Sequence, residues 1–417
     1  MHTESKSRVD IRKIVIFGAG KIGRSFIGQL FGSSGYKTVF IDVDPVIISL
    51  LNERNSYRVV IKGDKEEEII VHQVQAISAL DRQSVIDAVA TAGIAAISVG
   101  KNALEKVLPV IASGLEKRYN DNPDKPLDII LAENMRSAAA FTRELLIKNL
   151  PLGFPVDSYA GLIETSIGKM VPIMPLAEVE KDPLVVFAEP YNTLILDRKG
   201  FKSPIPDVRG LAPKNNIKAW VDRKAFIHNL GHATAAYYGF SVHPESVYMF
   251  VILDDPAVLA FTREVMCQSA EILLKAYPSE FTFPDLENHI DDLIKRFRNK
   301  ALLDTVFRVG HDLQRKLGSD DRFMGSIHLA SQFNMPCDLI INAMSFGFLF
   351  RARDEEGNLF PSDSAFLEAL PNKFESSLTE KLFFDPVHDK KIINELGRLY
   401  MVHNKNNNLD IDSLTTL

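Results

Sequence analysis

Residues 13–23 read KIVIFGAGKIG. The run 13–17 is apolar after its first residue, the pattern of a strand buried on both faces. Gly18, Gly20 and Gly23 follow in GxGxxG spacing, and the periodicity of 21–31 predicts a helix that opens beside them. In that placement each glycine has a physical task. Gly18 permits the tight turn, Gly20 lets the backbone approach a pyrophosphate, and Gly23 permits close helix–strand packing. The new helix then turns its N-terminus toward the negative charge. Ala19, Lys21 and Ile22 complete the segment that would lie along such a ligand. Asp42 ends a second strand, 38–42 (TVFID), at the spacing where an acid hydrogen-bonds an adenosine ribose. Its carboxylate would repel a 2′-phosphate, so NAD is expected over NADP. Asp44 adds to that preference, while Lys37 and Arg24 pull against it.

Strand and helix patterns alternate outward from this point. A helix is expected from about Pro45, a hairpin over 57–61 and 68–71 around Gly63-Asp64, strands at 94–99 and 127–132, and a helix at 103–117. Such alternation implies parallel βαβ units with helices on both faces of the sheet. The stretch 151–213 is richer in proline and short extended runs and reads as further strands and loops. Beyond it the periodicity becomes helical, over 219–238, 257–276, 284–298 and 339–353. The expectation is an α/β Rossmann-type dinucleotide-binding domain over 1–212 and a mostly α-helical domain over 213–417, with a polar tail from Asn404 that can fray.

Composition removes several function classes. The chain has 417 residues, 46% hydrophobic and 24% charged, which excludes a disordered chain. Its formal net charge of −6 argues against a nucleic-acid coat but not against a local basic pocket. Cys267 and Cys337 form no CxxC or Cys/His ladder, so disulfide frameworks and structural zinc are poor readings. The polar start MHTESKSRVDIRK lacks the apolar core of a signal peptide, and no apolar run is long enough for a membrane helix. A cytoplasmic protein with neither membrane nor nucleic-acid partner is expected, as a monomer or small homo-oligomer.

The second informative stretch is 224–232, KAFIHNLGH. On an α-helix Lys224, His228 and His232 follow i, i+4, i+8, and Asn229 with His232 is an i, i+3 pair. One cleft could thus receive an amine, an amide and an imidazole. Alcohol–ketone hydride transfer needs a group that exchanges the hydroxyl proton and donors that hold the oxygen. A desolvated lysine can act as that base. The plainer readings stand beside this one: a solvated lysine, a satisfied core histidine, or a His228/His232 zinc pair. The last lacks the glutamate of HExxH and an evident third ligand.

FGAGKIGRSFIGQL, VDRKAFIHNLGHATAAYYG, ENM at 133–135 and RVGHDLQRKLGSDDR at 308–322 together resemble the polyol-specific long-chain dehydrogenases. The resemblance spans about 13–353. It implies an N-terminal Rossmann-type domain, a helical C-terminal domain, an active site between them and no metal. It further implies that Lys224 is the general acid/base, that Asn229 and Asn134 stabilise the reacting oxygen, and that His232 orients substrate. Asn134 could equally be a helix-capping residue at a strand end. The implied substrates are a sugar alcohol and a ketose, mannitol 1-phosphate and fructose 6-phosphate, with a hexuronate or an unphosphorylated ketose as the alternative. A protein that senses NAD without turnover is a third reading, against which the intact Lys224/Asn229/His232 set argues.

A phosphate would be met by Arg308, Arg315, Lys316, Arg322 and Arg351, since guanidinium and ammonium groups make charge-assisted bonds to phosphate oxygens. Asp320 and Asp321 could instead hold these cations in a structural network. One departure stands out. Where the family usually carries Asp-Arg before Ile-Val/Thr-Pro, this chain has Gly168-Lys169-Met170-Val171-Pro172.

Overall fold

The computed structural model describes residues 8–133 and 135–414. The chain forms two compact units, Met1–Val221 and Asp222–Leu417. In the first, eleven strands are described: β1 (Asp10–Phe17), β2 (Lys37–Asp42), β3 (Ser56–Lys62), β4 (Glu66–His72), β5 (Val74–Ser78), β6 (Ala92–Ile97), β7 (Leu127–Leu131), β8 (Ala160–Ser166), β9 (Val186–Ala188), β10 (Leu194–Asp197) and β11 (Leu211–Lys214). The expected division at 212/213 therefore falls inside β11, a strand paired with β10.

Eight strands build the main sheet in the order β11-β10-β8-β7-β6-β1-β2-β5. From β5 to β8 every pairing is parallel; β10 lies antiparallel to β8. The chain builds β1, β2 and β5 in one direction, then crosses to β6 on the other side of β1. That reversal opens a crevice at the carboxyl ends of β1 and β6, where ligands of open α/β sheets bind. Burial in β1 shows why KIVIF is apolar on both faces. Ile14 and Ile16 join one core cluster with Phe26, Phe31 and Phe40. Val15 and Phe17 join the opposite one with Val85, Leu108 and Ile129. Successive side chains of a strand point to opposite faces, so both clusters are needed.

The expected hairpin forms, with Val59 opposite Ile69, and β9 extends it to a separate three-stranded sheet. Among the elements that left no clear mark in the sequence are β5, the helix Arg82–Ala90 and the helix Ala138–Asn149. The strand is only five residues long and follows β4 across a single residue, Gln73, in the left-handed region. A short run of that kind carries little periodicity.

The second unit is helical. Its longer described helices are Leu230–Val242, Pro256–Ala276, Phe283–Phe297, Arg322–Gln332, Asp338–Gly347, Pro361–Lys381 and Lys390–Leu414. The last carries helix through the polar tail expected to fray. Asp255 accepts hydrogen bonds from Ala257 and Val258 at the start of Pro256–Ala276, and Thr282 caps Phe283–Phe297 through Asp285; each precedes a helix with proline in its first turn. The helix expected over 339–353 stops at Gly347. There the Arg351 guanidinium takes the carbonyls of Phe348 and Phe350.

Candidate active site

In the first unit the glycine turn joins β1 to its helix. Gly18 has φ +95°, and a Cβ there would meet Ser98 O at 2.7 Å. A Cβ on Gly23 would meet Gly18 O at 2.0 Å, so helix and turn touch at that point. Gly20 differs: nothing lies within 4 Å of its Cβ position. A side chain is thus excluded by protein at Gly18 and Gly23, while the space above Gly20 is open. Asp42, at the end of β2, accepts the Ala19 N–H at 2.6 Å through Oδ2 and the N–H groups of Val43 and Asp44 through Oδ1. These bonds fix its carboxylate beside the turn. Arg24 is buried, with Nε on Ala19 O at 2.6 Å and Nη1 on the carbonyls of Pro183 and Leu184. It therefore anchors the turn and is not free to meet a 2′-phosphate. A cradle that rejects Cβ atoms, an open Gly20 and a fixed acid at the end of β2 fit a dinucleotide.

Glu133 lies just past β7. Its carboxylate accepts the N–H groups of Val99 and Gly100 at 2.8 and 2.9 Å, and burial raises its pKa. The ENM motif thus ties the loop after β6 to the end of β7, a role the sequence did not suggest. Asn134 lies outside the described residues. Lys169, from the departing GKMVP segment, is buried, with Nζ 2.9 Å from Asn192 Oδ1 and above the Phe26 ring.

In the second unit the stretch KAFIHN is not a plain α-helix. Lys224–Asn229 forms a π-helical turn, closed by the Leu230 N–H on Ala225 O. The wider turn disrupts the straight i, i+4, i+8 line expected for 224, 228 and 232; such bulges recur at functional sites. Arg322 Nη1 donates to Asn229 O at 3.2 Å and so holds this turn against the helix Arg322–Gln332.

The environment sorts the three basic residues. Lys224 has its pKa lowered to about 8, first by burial and then by the Arg322 charge, with Asp321 opposing and Arg315 adding. His232 is lowered to about 4, again by burial first; Asp304 opposes, and Arg308, Lys316 and Arg322 add to it. Its ring stacks on Phe297 at 4.3 Å with 3° between planes, and its Nε2 lies 3.5 Å from Asp304 Oδ2. His228 is buried and pushed well below the usual histidine range, with its ring 6.3 Å from that of His232. Among the described residues no group of three or more His, Cys, Asp or Glu could hold a metal ion.

The structure brings Arg308, Arg315, Lys316 and Arg322 to Lys224 and His232. Three of them are ion-paired. Arg308 Nε lies 2.6 Å from Asp304, Arg315 Nε 2.5 Å from Asp312, and Arg322 Nε 2.8 Å from Asp321. Lys316 is buried, donates to Val309 O at 2.7 Å, and has its pKa driven far down by burial and by Arg322 and Arg315. Arg351 stands elsewhere, with its guanidinium on the carbonyls of Phe348 and Phe350 beyond its own helix end. Asp304 had no sequence mark as a site residue; LLDT reads as an ordinary helix start, and Thr305 does cap the helix Val306–Gly310.

A dinucleotide cradle on a doubly wound sheet, followed in the chain by a helical unit, is a plan that nicotinamide-dependent dehydrogenases share. Residues 12–210 match the mannitol dehydrogenase Rossmann domain, and residues 216–399 match the mannitol dehydrogenase C-terminal domain. The chain belongs to the mannitol dehydrogenase family, and it is an NAD-dependent polyol dehydrogenase. Its fold is similar to that of Pseudomonas fluorescens mannitol 2-dehydrogenase, solved as a ternary complex with NAD and D-mannitol. The TM-score is 0.72 at 16% identity, over 99% of this chain and 95% of that one. A D-sorbitol dehydrogenase in substrate-free form is also similar, with TM-score 0.77, 17% identity and 96% of each chain covered.

Proposed function

We propose that the chain interconverts mannitol 1-phosphate and fructose 6-phosphate, the reaction of a mannitol-1-phosphate 5-dehydrogenase. Gly18, Ala19, Gly20, Lys21, Ile22, Gly23 and Asp42 would hold NAD, which supplies the hydride acceptor. In oxidation the neutral Lys224 amine takes the proton of the reacting hydroxyl; in reduction its ammonium returns one. Asn229 and Asn134 donate to the oxygen as negative charge grows on it. His232, neutral at physiological pH, bonds a neighbouring hydroxyl. The observation that carries the reading is the lowered pKa of Lys224, about 8, because a proton-exchanging group works best with a pKa near the operating pH.

The phosphate half of the reading is supported by the buried Lys316 ammonium in the same cluster as three guanidinium groups. A second reading, reduction of free fructose or a hexuronate, is favoured by the carboxylate partners that Arg308, Arg315 and Arg322 already have. A cytoplasmic setting belongs to the same proposal: Cys267 and Cys337 are both free thiols, and no described helix is long and apolar enough to cross a membrane.

NADH oxidation measured with fructose 6-phosphate and with fructose decides between the two. The expected result is a larger kcat/KM for the phosphate ester; a preference for fructose selects the second reading. In the same assay Lys224→Ala is expected to lose about a hundred- to ten-thousandfold in kcat, with little change in NADH affinity. Near-normal turnover removes Lys224 from the chemistry.

A further inference from the structure

We propose that Asp304 contacts substrate and determines specificity: its Oδ2 and His232 Nε2 together take one hydroxyl of the polyol. The inference rests on the reading of His232 given above. Asp304 is 3% exposed, and its carboxylate is divided in use. Oδ1 takes Arg308 Nε at 2.6 Å, whereas Oδ2 has no hydrogen-bond partner among the described residues. His232 Nε2 is equally buried and equally without a hydrogen-bond partner. The two atoms lie 3.5 Å apart, within ion-pair range but outside the geometry of a direct bond.

Two orphaned polar atoms side by side, in a buried place, are costly unless something satisfies both. A hydroxyl is suited to the task. It donates to the carboxylate oxygen and accepts from the imidazole in its Nε2–H tautomer, and it reaches both at ordinary hydrogen-bond distance. A carbonyl could serve only the imidazole, and an ammonium only the carboxylate.

The pair is also held rigidly. Phe297 fixes the plane of the imidazole by stacking, and Arg308 fixes the rotation of the carboxylate. The Asp304 backbone accepts the Met249 N–H at 2.9 Å, and two residues on the Val306 N–H donates to Val247 O at 2.8 Å. Leu303, immediately before it, has φ +52°, a conformation uncommon for leucine and retained where surrounding structure enforces it.

The test uses the full-length enzyme with NADH, the ketose that it turns over, and the 1-deoxy and 3-deoxy forms of that ketose. Asp304→Asn keeps the shape of the side chain but not its charge. It is expected to lower kcat/KM for the parent ketose about ten- to a hundredfold, the scale of a hydrogen bond to a charged group, and to leave one deoxy analogue almost unaffected. Equal losses on all three substrates, or no loss on the parent, overturn the proposal. The unmodified enzyme gives a second test that no folding defect can obscure. A deoxyfluoro ketose accepts but cannot donate, so at the same position it should be as poor as the deoxy form. Activity equal to the parent overturns the carboxylate contact. Should the folded wild type reduce no ketose, the functional reading falls and this inference with it. Turnover with a flat analogue pattern removes Asp304 alone.

Discussion

An amine can accept a proton only while it is uncharged, which for an ordinary lysine means above pH 10. Lys224 escapes that limit by burial and by the neighbouring Arg322, which bring its pKa to about 8. The sign of the pH dependence follows. Polyol oxidation needs the neutral amine and should rise with pH through about 8 before levelling; ketose reduction needs the ammonium and should fall over the same interval. His232, held at about 4, stays neutral throughout and adds no limb near 6.5. Profiles of log kcat/KM in both directions check this, and an inflection near 6.5 with none near 8 would reverse the two assignments. At this scale the sequence carried much. Lys224 and His232 stand in one short motif, although the π-helical turn alters the spacing expected between them, and Asp321 pairs with Arg315 and Arg322, one of the two uses the sequence allowed for those cations. Asp304 was not legible, because its partner lies far away along the chain and no local pattern connects them.

At the scale of elements, the glycine turn was legible because each of its glycines answers a separate constraint. The constraints predict separate failures. Gly23→Ala drives a methyl group into Gly18 O, so the turn and its helix must separate, and the melting temperature should drop by several degrees. Gly20→Ala meets no protein atom, so thermal stability should stay close to wild type while NADH affinity weakens. Calorimetry and NADH fluorescence titration on the two variants separate these effects. Weak binding with normal stability in Gly23→Ala would mean that the roles had been exchanged. The π-helical turns at Gly23–Gly28 and Lys224–Asn229 could not be read in advance. One extra residue in a helical turn leaves the composition unchanged and moves the apolar positions by less than the scatter of the pattern. The helix expected over 339–353 and observed to end at Gly347 shows a similar limit: beyond its end the carbonyls of Phe348 and Phe350 go to the Arg351 guanidinium, a contact that no local pattern announces.

Over the whole molecule the alternation of strand and helix, then helix alone, was legible, since it is repeated many times and errors at single elements do not change it. Charge behaves differently. The formal sum is −6, yet Arg308, Arg315, Lys316 and Arg322 gather near Lys224 and His232 against Asp304, Asp312 and Asp321. A sum over the chain cannot reveal that local excess. Within the cluster Lys316 is the cation to test, because its Nζ donates to a neutral carbonyl, Val309 O, while the guanidinium groups beside it are paired with carboxylates. Burying an ammonium beside two guanidinium groups is unfavourable, and its depressed pKa records a penalty that Asp312 and Asp321 offset only in part. A dianionic phosphate ester would relieve it, and a free hexose would not. Lys316→Met keeps the aliphatic stem and removes the charge. The ratio of kcat/KM for fructose 6-phosphate to that for fructose should then fall at least about tenfold, the scale of one charge-assisted hydrogen bond, through KM more than kcat. The variant should also be no less stable than wild type, since it buries no unpaired ion. A ratio unchanged by the substitution would remove Lys316 from phosphate recognition and leave the free ketose as the better reading.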